Sequence, residues 1–417
     1  MAVSNVAPIF EQRLTPGQLR QLRLAADVAA RLDVHLFLVG GTVRDILAGN
    51  RPADLDLSVV GGTAEFPSEL AQGLGGQVVA RSQFGTSKLS MQGEVLDLAT
   101  ARKESYAQPG ALPDVASGSI QDDLARRDFT INSMAISLSP VDWGQLLDPF
   151  HGRQDLQHGL IRVLHPGSFT DDATRILRAV RYAVRLRFQI EDTTSQLIER
   201  DRSYLDTIKG DRVRHELQRI FGEERAAPVL DLARRLGVLS AIYPTLGVDD
   251  SVSGALSRVE IHAEPDDGLQ FLSVLAYFFS DGDRSGLIAR LNMDSRWARV
   301  VADTGSVRDA AESVGSPDVL RSQLHRLLRQ LDPVAIGGAA IAADQPLVAR
   351  RLRLYLSELR HVKPSLNGDD LINLGVPMGP MVGRLLDDLL TARLDGQLST
   401  RQHEEEFVAR QLEQGLH

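Results

Sequence analysis

The apolar pattern of this 417-residue chain changes character once, near residue 148. Before that point apolar residues come in short, often β-branched runs broken by Gly and Pro; after it they recur almost wholly at helical spacing. Such a pattern predicts an α+β fold, a small head built on a mixed sheet with helices, followed by an all-helical remainder. Val34–Val39, Leu55–Val60 and Phe129–Leu138 are expected as strands, and Lys88–Met91 with Glu94–Ala99 as a hairpin about Gln92-Gly93. Residues 1–32 read as one amphipathic helix, and the Gly-, Pro- and Ser-rich segment 104–121 as a mobile loop. Further on, the periodicity predicts helices over Asp171–Phe188, Thr194–Arg200, Asp211–Phe221, Ala226–Leu236, Asp267–Phe279, Val319–Leu331, Pro346–Leu359 and Pro380–Arg393, with joints at 247–254 and 312–317.

Composition narrows the function classes. With no Cys, disulfides, thiolate metal sites and cysteine nucleophiles are excluded, which fits a reducing, cytoplasmic setting. The first residues lack the basic and apolar regions of a signal peptide. The longest small-apolar run, Val334 to Ala343, is far short of the ~18–20 residues of a membrane span, so no membrane partner is expected. The formal charge is −9, yet a local basic surface is compatible with an acidic total. Only four of the 46 basic residues are Lys; the rest are Arg, the better bidentate reader of phosphates and base edges. The sequence is silent on oligomeric state.

The candidate chemistry begins at Leu36–Asp45, where an apolar strand meets Gly40-Gly41 and then a short helix that Thr42 is placed to cap. Glycines there let backbone approach a phosphate, and Arg44 adds a positive charge. Asp54 and Asp56 follow, two apart, so that on a strand both carboxylates share a face. A solvated acidic edge would look the same, but this short spacing after a Gly-Gly turn favours cation binding, the arrangement in which two Mg²⁺ ions serve phosphoryl transfer. Asp97, an acid inside the apolar run Val95–Leu98, is a third candidate for the same centre. No Gly-Lys-Ser/Thr occurs, which excludes a Walker NTPase. His151, His158 and His165 are spaced by seven, but Gly152, Gly159 and Pro166 break any helix that would align them.

Four ordered motifs carry a family resemblance: Gly40-Gly41-Thr42-Val43-Arg44-Asp45, Asp54-Leu55-Asp56, Arg126-Arg127-Asp128-Phe129-Thr130-Ile131-Asn132-Ser133-Met134-Ala135, and Asp171-Asp172-Ala173-Thr174-Arg175-Ile176-Leu177-Arg178-Ala179-Val180-Arg181. Together they resemble the class II CCA-adding tRNA nucleotidyltransferases and bacterial poly(A) polymerases, of the DNA polymerase β-like nucleotidyltransferase superfamily. Leu366–Leu371 and Leu394-Asp395-Gly396 resemble the tail of short bacterial CCA-adding enzymes; residues 225–345 carry no matching motif. Asp171 stands where the family has Glu, Ala173 where it has Pro, and Ser133 where it has Ala.

The resemblance implies a head over 1–147, a helical neck with base recognition over 148–222, a body over 223–318 and a tRNA-binding tail over 319–417. It implies that Asp54 and Asp56 hold Mg²⁺ in a two-metal mechanism. Gly40, Gly41, Arg44, Arg127, Asp128 and Asn132 would bind the nucleotide, Asp172 and Arg175 would read the base edge, and Arg178 and Arg181 would complete the nucleotide-binding helix. The implied activity is addition of CCA to the tRNA 3′ end from CTP and ATP, with release of pyrophosphate. A-adding, CC-adding or poly(A)-adding activity within the same family are the alternatives, and a tRNA-binding factor with an inactive head is the non-enzymatic one. From its charge pattern the helical part offers Arg321, Arg326, Arg350 and Arg353 as tRNA phosphate contacts, the last two one turn apart.

Overall fold

A computed structural model describes residues 4–82, 85–91, 94–247, 250–259 and 267–413. Contacts divide the chain into two units, one taking residues up to Glu216 with Leu232–Ile242, the other Leu217–Asp231 with the chain from Tyr243 onward.

The first unit opens with helices α1 (Ala7–Arg13) and α2 (Pro16–Arg31) rather than one helix over 1–32. The break is chemical. Thr15 and Gln18 close a reciprocal capping box, and Pro16, which has no N–H to donate, begins the second helix. Strand β1 (His35–Val39), helix α3 (Gly41–Leu47), strand β2 (Leu55–Val60), helix α4 (Phe66–Gly73) and strands β3 (Gln77–Arg81), β4 (Thr86–Met91) and β5 (Glu94–Thr100) follow. With β6 (Arg102–Ser105), β7 (Asp114–Ser117), helix α5 (Ile120–Ala125), β8 (Ala135–Ser137) and β9 (Leu146–Leu147) they complete the head. The main sheet runs β3-β4-β5-β2-β1-β8-β9, antiparallel except for β2 with β5. β4 and β5 pair as the expected hairpin; Gln92-Gly93 lies outside the described residues.

Two head segments depart from expectation. The Gly/Pro-rich segment carries an antiparallel arm, β6 against β7, with Arg102 opposite Ser117 and Ser105 opposite Asp114, and residues 106–113 connect the two strands. Residues 129–138 are not one strand: Thr130–Asn132 forms a 3₁₀ turn and only Ala135–Ser137 joins the sheet. Ser133 therefore sits at the end of a turn, its hydroxyl donating to the Leu124 carbonyl at 2.5 Å.

Past residue 148 the unit is helical, with α6 (Gly152–His158), α7 (Ser168–Asp171), α8 (Thr174–Leu186), α9 (Asp192–Asp201) and, as far as Glu216, α10 (Gly210–Phe221), and one short parallel pair of Leu160–Ile161 with Gln189–Ile190. The expected helix over Asp171–Phe188 is interrupted, because Asp172 takes extended backbone between α7 and α8.

The second unit is helical, and its helices Asp267–Tyr277, Arg321–Leu328, Pro346–Ser357 and Pro380–Leu394 fall where the periodicity places them. Ile336, Val348 and Leu352 belong to one buried cluster, and Leu371, Leu389 and Val408 to another. The small-apolar run at 334–343 is a buried helix, Pro333–Ala342. Among the described residues no helix is long and apolar enough to cross a membrane.

Candidate active site

The centre of the site is the turn between β1 and α3. Gly40 has φ +66°, and a Cβ there would stand 2.6 Å from a guanidinium nitrogen of Arg127, so no larger residue fits without moving that arginine. Thr42 does not cap α3; Gly40 occupies the cap position. Instead the Thr42 hydroxyl donates to the Asp54 carbonyl and accepts from the Asp56 N–H, both at 3.0 Å. One side chain thus ties the Gly-Gly turn to the segment bearing the acids.

Asp54 stands exposed, one residue before β2, while Asp56 is half-buried within it. Because β2 and β5 run parallel, Asp97 lies directly opposite Asp56; because β5 and β4 run antiparallel, Lys88 lies directly opposite Asp97. The Lys88 ammonium is 3.5 Å from the Asp97 carboxylate. Burial raises the Asp56 carboxyl above the usual aspartate value, and the negative charges of Asp97 and Asp54 add to that shift against the opposing pull of Arg127. An ionised Asp56 here is a group in want of positive charge.

Arginines face this acid. Asp123, on α5, accepts from Arg126 at 2.6 Å and from Arg127 at 2.9 Å, which holds both side chains in place. Burial would lift the Asp123 carboxyl, but Arg127 and Arg126 hold it below its usual value. The 3₁₀ turn brings Asn132 back to Asp128: Asp128 accepts from the Phe129 N–H at 2.9 Å, from Asn132 at 3.0 Å and from Arg178 at 2.9 and 2.5 Å. Burial opposes ionisation of Asp128 too, yet Arg178 and Asn132 hold it in the charged form. Asn132 in turn accepts from the buried Arg44 at 2.8 Å.

Asp172 is not within a helix, so it does not share a helical face with Arg175 as a three-residue spacing suggests. One carboxylate oxygen accepts from the Thr174 N–H and hydroxyl at the start of α8, and the other accepts from Arg212 at 2.8 Å. Arg175 is buried and donates to the Ser168 hydroxyl at 2.8 Å and to the Arg126 carbonyl at 2.7 Å. Arg181 is also buried, so α8 does not present these arginines as a solvated basic face. The guanidinium carbons of Arg44, Arg178 and Arg181 all lie 5.0–5.5 Å from the Tyr182 ring centre.

A cavity of about 530 Å³ gathers most of these groups. Gly40, Gly41, Arg44, Asp56, Arg127, Asp128, Asn132, Asp172, Arg175 and Arg178 all line it; seven arginines and four acids face it in total. Among the described residues, Arg127 Nε and Arg212 Nη1 are buried donors with no hydrogen-bond partner. Unspent donors and excess positive charge beside an acid suit a polyanion with several acceptor oxygens, such as a nucleoside triphosphate.

Comparison with known proteins agrees with that chemistry. Residues 36–162 match the poly A polymerase head domain, and residues 187–248 the probable RNA and SrmB-binding site of polymerase A. The A-adding tRNA nucleotidyltransferase of Halalkalibacterium halodurans is 35% identical over 97% of this chain and 95% of its own length. The chain belongs to the tRNA nucleotidyltransferase family. A CC-adding tRNA nucleotidyltransferase of Deinococcus radiodurans is 31% identical over 89% of this chain and 88% of its own. In structure, the Thermotoga maritima CCA-adding enzyme complexed with tRNA superposes with a TM-score of 0.79 at 30% identity, covering 99% of this chain and 100% of that one.

Several residues of this nucleotidyltransferase's site carry no sequence signal of their own. Glu104 on β6 joins Arg102, Arg126 and Tyr106, whose hydroxyl donates to it at 2.8 Å. Burial, then Glu104, raises the Tyr106 phenol above its usual value. Asp123, Tyr182 and Arg212 are likewise found only by proximity. Asp54 and Asp97 do not line the arginine-rich cavity, and Asp97 opens on a second one. Among the described residues no three Asp, Glu or His side chains group closely enough to hold a metal ion by themselves. Arg321, Arg326, Arg350 and Arg353 are all exposed in the second unit; Arg321 lies 3.6 Å from Glu358, and Arg353 donates to the Ala340 carbonyl at 3.3 Å.

Proposed function

We propose that this nucleotidyltransferase builds CCA on the 3′ end of tRNA from CTP and ATP. The observation that carries the reading is that a single cavity joins the Gly-Gly turn, Asp56, the Arg127 guanidinium and the Asp172–Arg175 pair. The tRNA 3′-oxygen bonds to the α-phosphorus of the nucleotide. The bond from that phosphorus to its bridging oxygen breaks, pyrophosphate leaves with the electron pair, and the hydroxyl proton passes to solvent. Asp54 and Asp56 offer the hard oxygen donors that Mg²⁺ takes, one or two carboxylates with substrate phosphates completing the shell. Mg²⁺ there would lower the pKa of the hydroxyl and neutralise charge on the leaving group.

This chain's own residues do the positioning. Arg44, Arg127 and Arg178 surround the phosphates, while Asp128, Asn132 and Asp123 fix the arginines rather than the substrate. Asp172 and Arg175 both line this cavity, an acceptor and a forked donor of the kinds that the edges of cytosine and adenine pair with. On this reading residues 1–147 carry the chemistry, 148–222 the base selection and 319–417 the grip on tRNA, with 223–318 as a helical body.

The complete β6–β7 arm argues against CC addition alone, since a shortened segment here marks CC-only members of the family. Addition of AMP alone is the second reading, favoured by the A-adding name of the Halalkalibacterium relative. Labelled CTP and ATP offered with tRNAs ending at the discriminator base, at C and at CC decide it. Label from both nucleotides supports CCA addition, AMP on the CC acceptor only supports the second reading, and no label from either rejects both.

A further inference from the structure

Guanidinium groups gathered to meet a polyanion repel one another before it arrives. A carboxylate can hold such a group in place, but it also cancels the charge that the substrate is to meet. Tyr182, on α8 and lining the arginine-rich cavity, holds arginines without a charge of its own. The guanidinium carbons of Arg44, Arg178 and Arg181 lie 5.4, 5.5 and 5.0 Å from its ring centre. All three are inside the ~6 Å at which a cation is drawn to the negative face of an aromatic ring. They come from two elements. Arg44 belongs to α3, which begins at the Gly-Gly turn, and Arg178 and Arg181 belong to α8 itself, Arg178 one helical turn before the ring. The ring is braced from a third place: the buried Phe129 ring meets it edge to face, at 5.9 Å and 82°.

We propose that Tyr182 is a positioning residue for the nucleotide's phosphates, its ring holding the Arg44 and Arg178 guanidiniums ready for the triphosphate without neutralising them. The proposal rests on the nucleotidyl-transfer reading above. Acids secure these two arginines only in part. Arg178 gives Nε and one Nη to Asp128, and its other Nη stands 3.9 Å from Glu216, beyond hydrogen-bond length. Arg44 spends Nε and one Nη on Asp45 and donates from the other to Asn132, a neutral partner. Both arginines line the cavity with the ring between α3 and α8, whereas Arg181 is buried, lies 3.8 Å from Glu216 and is not among the lining residues. Arg181 therefore serves the ring rather than the substrate. Tyr182 touches no reacting atom and acts through the arginines. Without the ring, two long and mutually repelling side chains gain freedom that the triphosphate must remove when it binds. The electron density of the ring carries this role, and the hydroxyl does not.

Equilibrium binding of α,β-methylene-CTP with Mg²⁺ to the full-length protein tests the role. Tyr182→Leu is expected to raise the Kd about tenfold, and Tyr182→Phe to change it by less than about twofold. Because Tyr182→Leu also removes packing against Phe129, a second series separates charge from shape. Phenylalanines bearing one, two and three ring fluorines, placed at position 182, keep the size of the ring and drain its negative face in steps. The Kd should rise with each fluorine, to about fivefold with three, while the melting temperature and the affinity for tRNA stay at their Tyr182→Phe values. A purely structural ring would leave the fluorine series flat. A flat series, or a Tyr182→Phe variant that binds as weakly as Tyr182→Leu, overturns the positioning role alone, provided that the wild-type protein incorporates labelled nucleotide into tRNA. Wild-type protein that incorporates none rejects the nucleotidyl-transfer reading itself.

Discussion

Charge is the organising problem of the site's individual residues. Asp56 is held above its usual pKa by burial and by neighbouring acids, so its ionised form is a cost to the fold near neutral pH. Its favourable contribution exists at pH below the unfolded value of 3.8 and is lost as pH rises through the higher folded value. Asp56→Asn should therefore melt at a higher temperature than wild type at pH 7 without divalent cations. Mg²⁺ should raise the melting temperature of wild type and leave the variant unmoved. Equal Mg²⁺ shifts in thermal denaturation would place the cation elsewhere.

Asp123 and Asp128 behave in the opposite sense. Their folded values lie below 3.8, so their contribution is present above pH 3.8 and is lost as pH falls through the lower folded values. Asp128→Asn removes the carboxylate to which Arg178 donates, leaving it Glu216 at 3.9 Å, and should cost about 1.5–3 kcal/mol at pH 7. The acid limb of stability should flatten as well, as read by urea unfolding from pH 2.5 to 6. Arg175→Ala should cost roughly 1–3 kcal/mol of discrimination, admitting UTP against CTP in competition assays. An unchanged ratio would mean that Arg175 serves only its bonds to Ser168 and the Arg126 carbonyl.

At the scale of elements, the β6–β7 arm is the lever most open to test. Tyr106 lines the arginine-rich cavity from its end, and Glu104 fastens it to Arg126, whose carbonyl receives Arg175. Replacing residues 106–113 by a short Gly-Ser turn should keep CMP addition and suppress AMP addition, measured on tRNAs ending at C and at CC. Equal loss of both would reduce the arm to a support of the fold. How much of this was legible beforehand depended on range. The strands Val34–Val39 and Leu55–Val60, the Lys88–Ala99 hairpin and four distal helices follow from local periodicity, and the paired acids from spacing alone, whereas the edge strand Gln77–Arg81 is not among the expected elements. The arm was hidden because its order comes from Glu104 meeting Arg102 and Arg126, partners that no spacing reveals, while its Gly and Pro content reads as loop. The break at Asp172 was hidden likewise: periodicity runs through 171–188, and only Arg212, forty residues on, shows where the carboxylate goes. Thr42 looked like a cap because a cap is what its position offers locally, and the tertiary bonds to Asp54 and Asp56 prevailed.

For the whole molecule, a net charge of −9 is reconciled with a polyanionic substrate by segregation. Arginine is concentrated in one cavity of the first unit and on exposed helix faces of the second. If the second unit grips the tRNA body, Arg350→Ala with Arg353→Ala should weaken tRNA binding and lower its salt slope by roughly one unit per lost phosphate contact, with affinity for CTP unchanged. A double variant with the wild-type slope would move the grip to other residues. The central claim, that nucleotidyl transfer occurs at Asp56 in the arginine-rich cavity, is tested most directly by single-turnover incorporation of labelled ATP or CTP into tRNA by Asp56→Ala, with tRNA binding measured alongside. The account predicts no detectable incorporation with tRNA affinity close to that of wild type. Incorporation near the wild-type rate would contradict it.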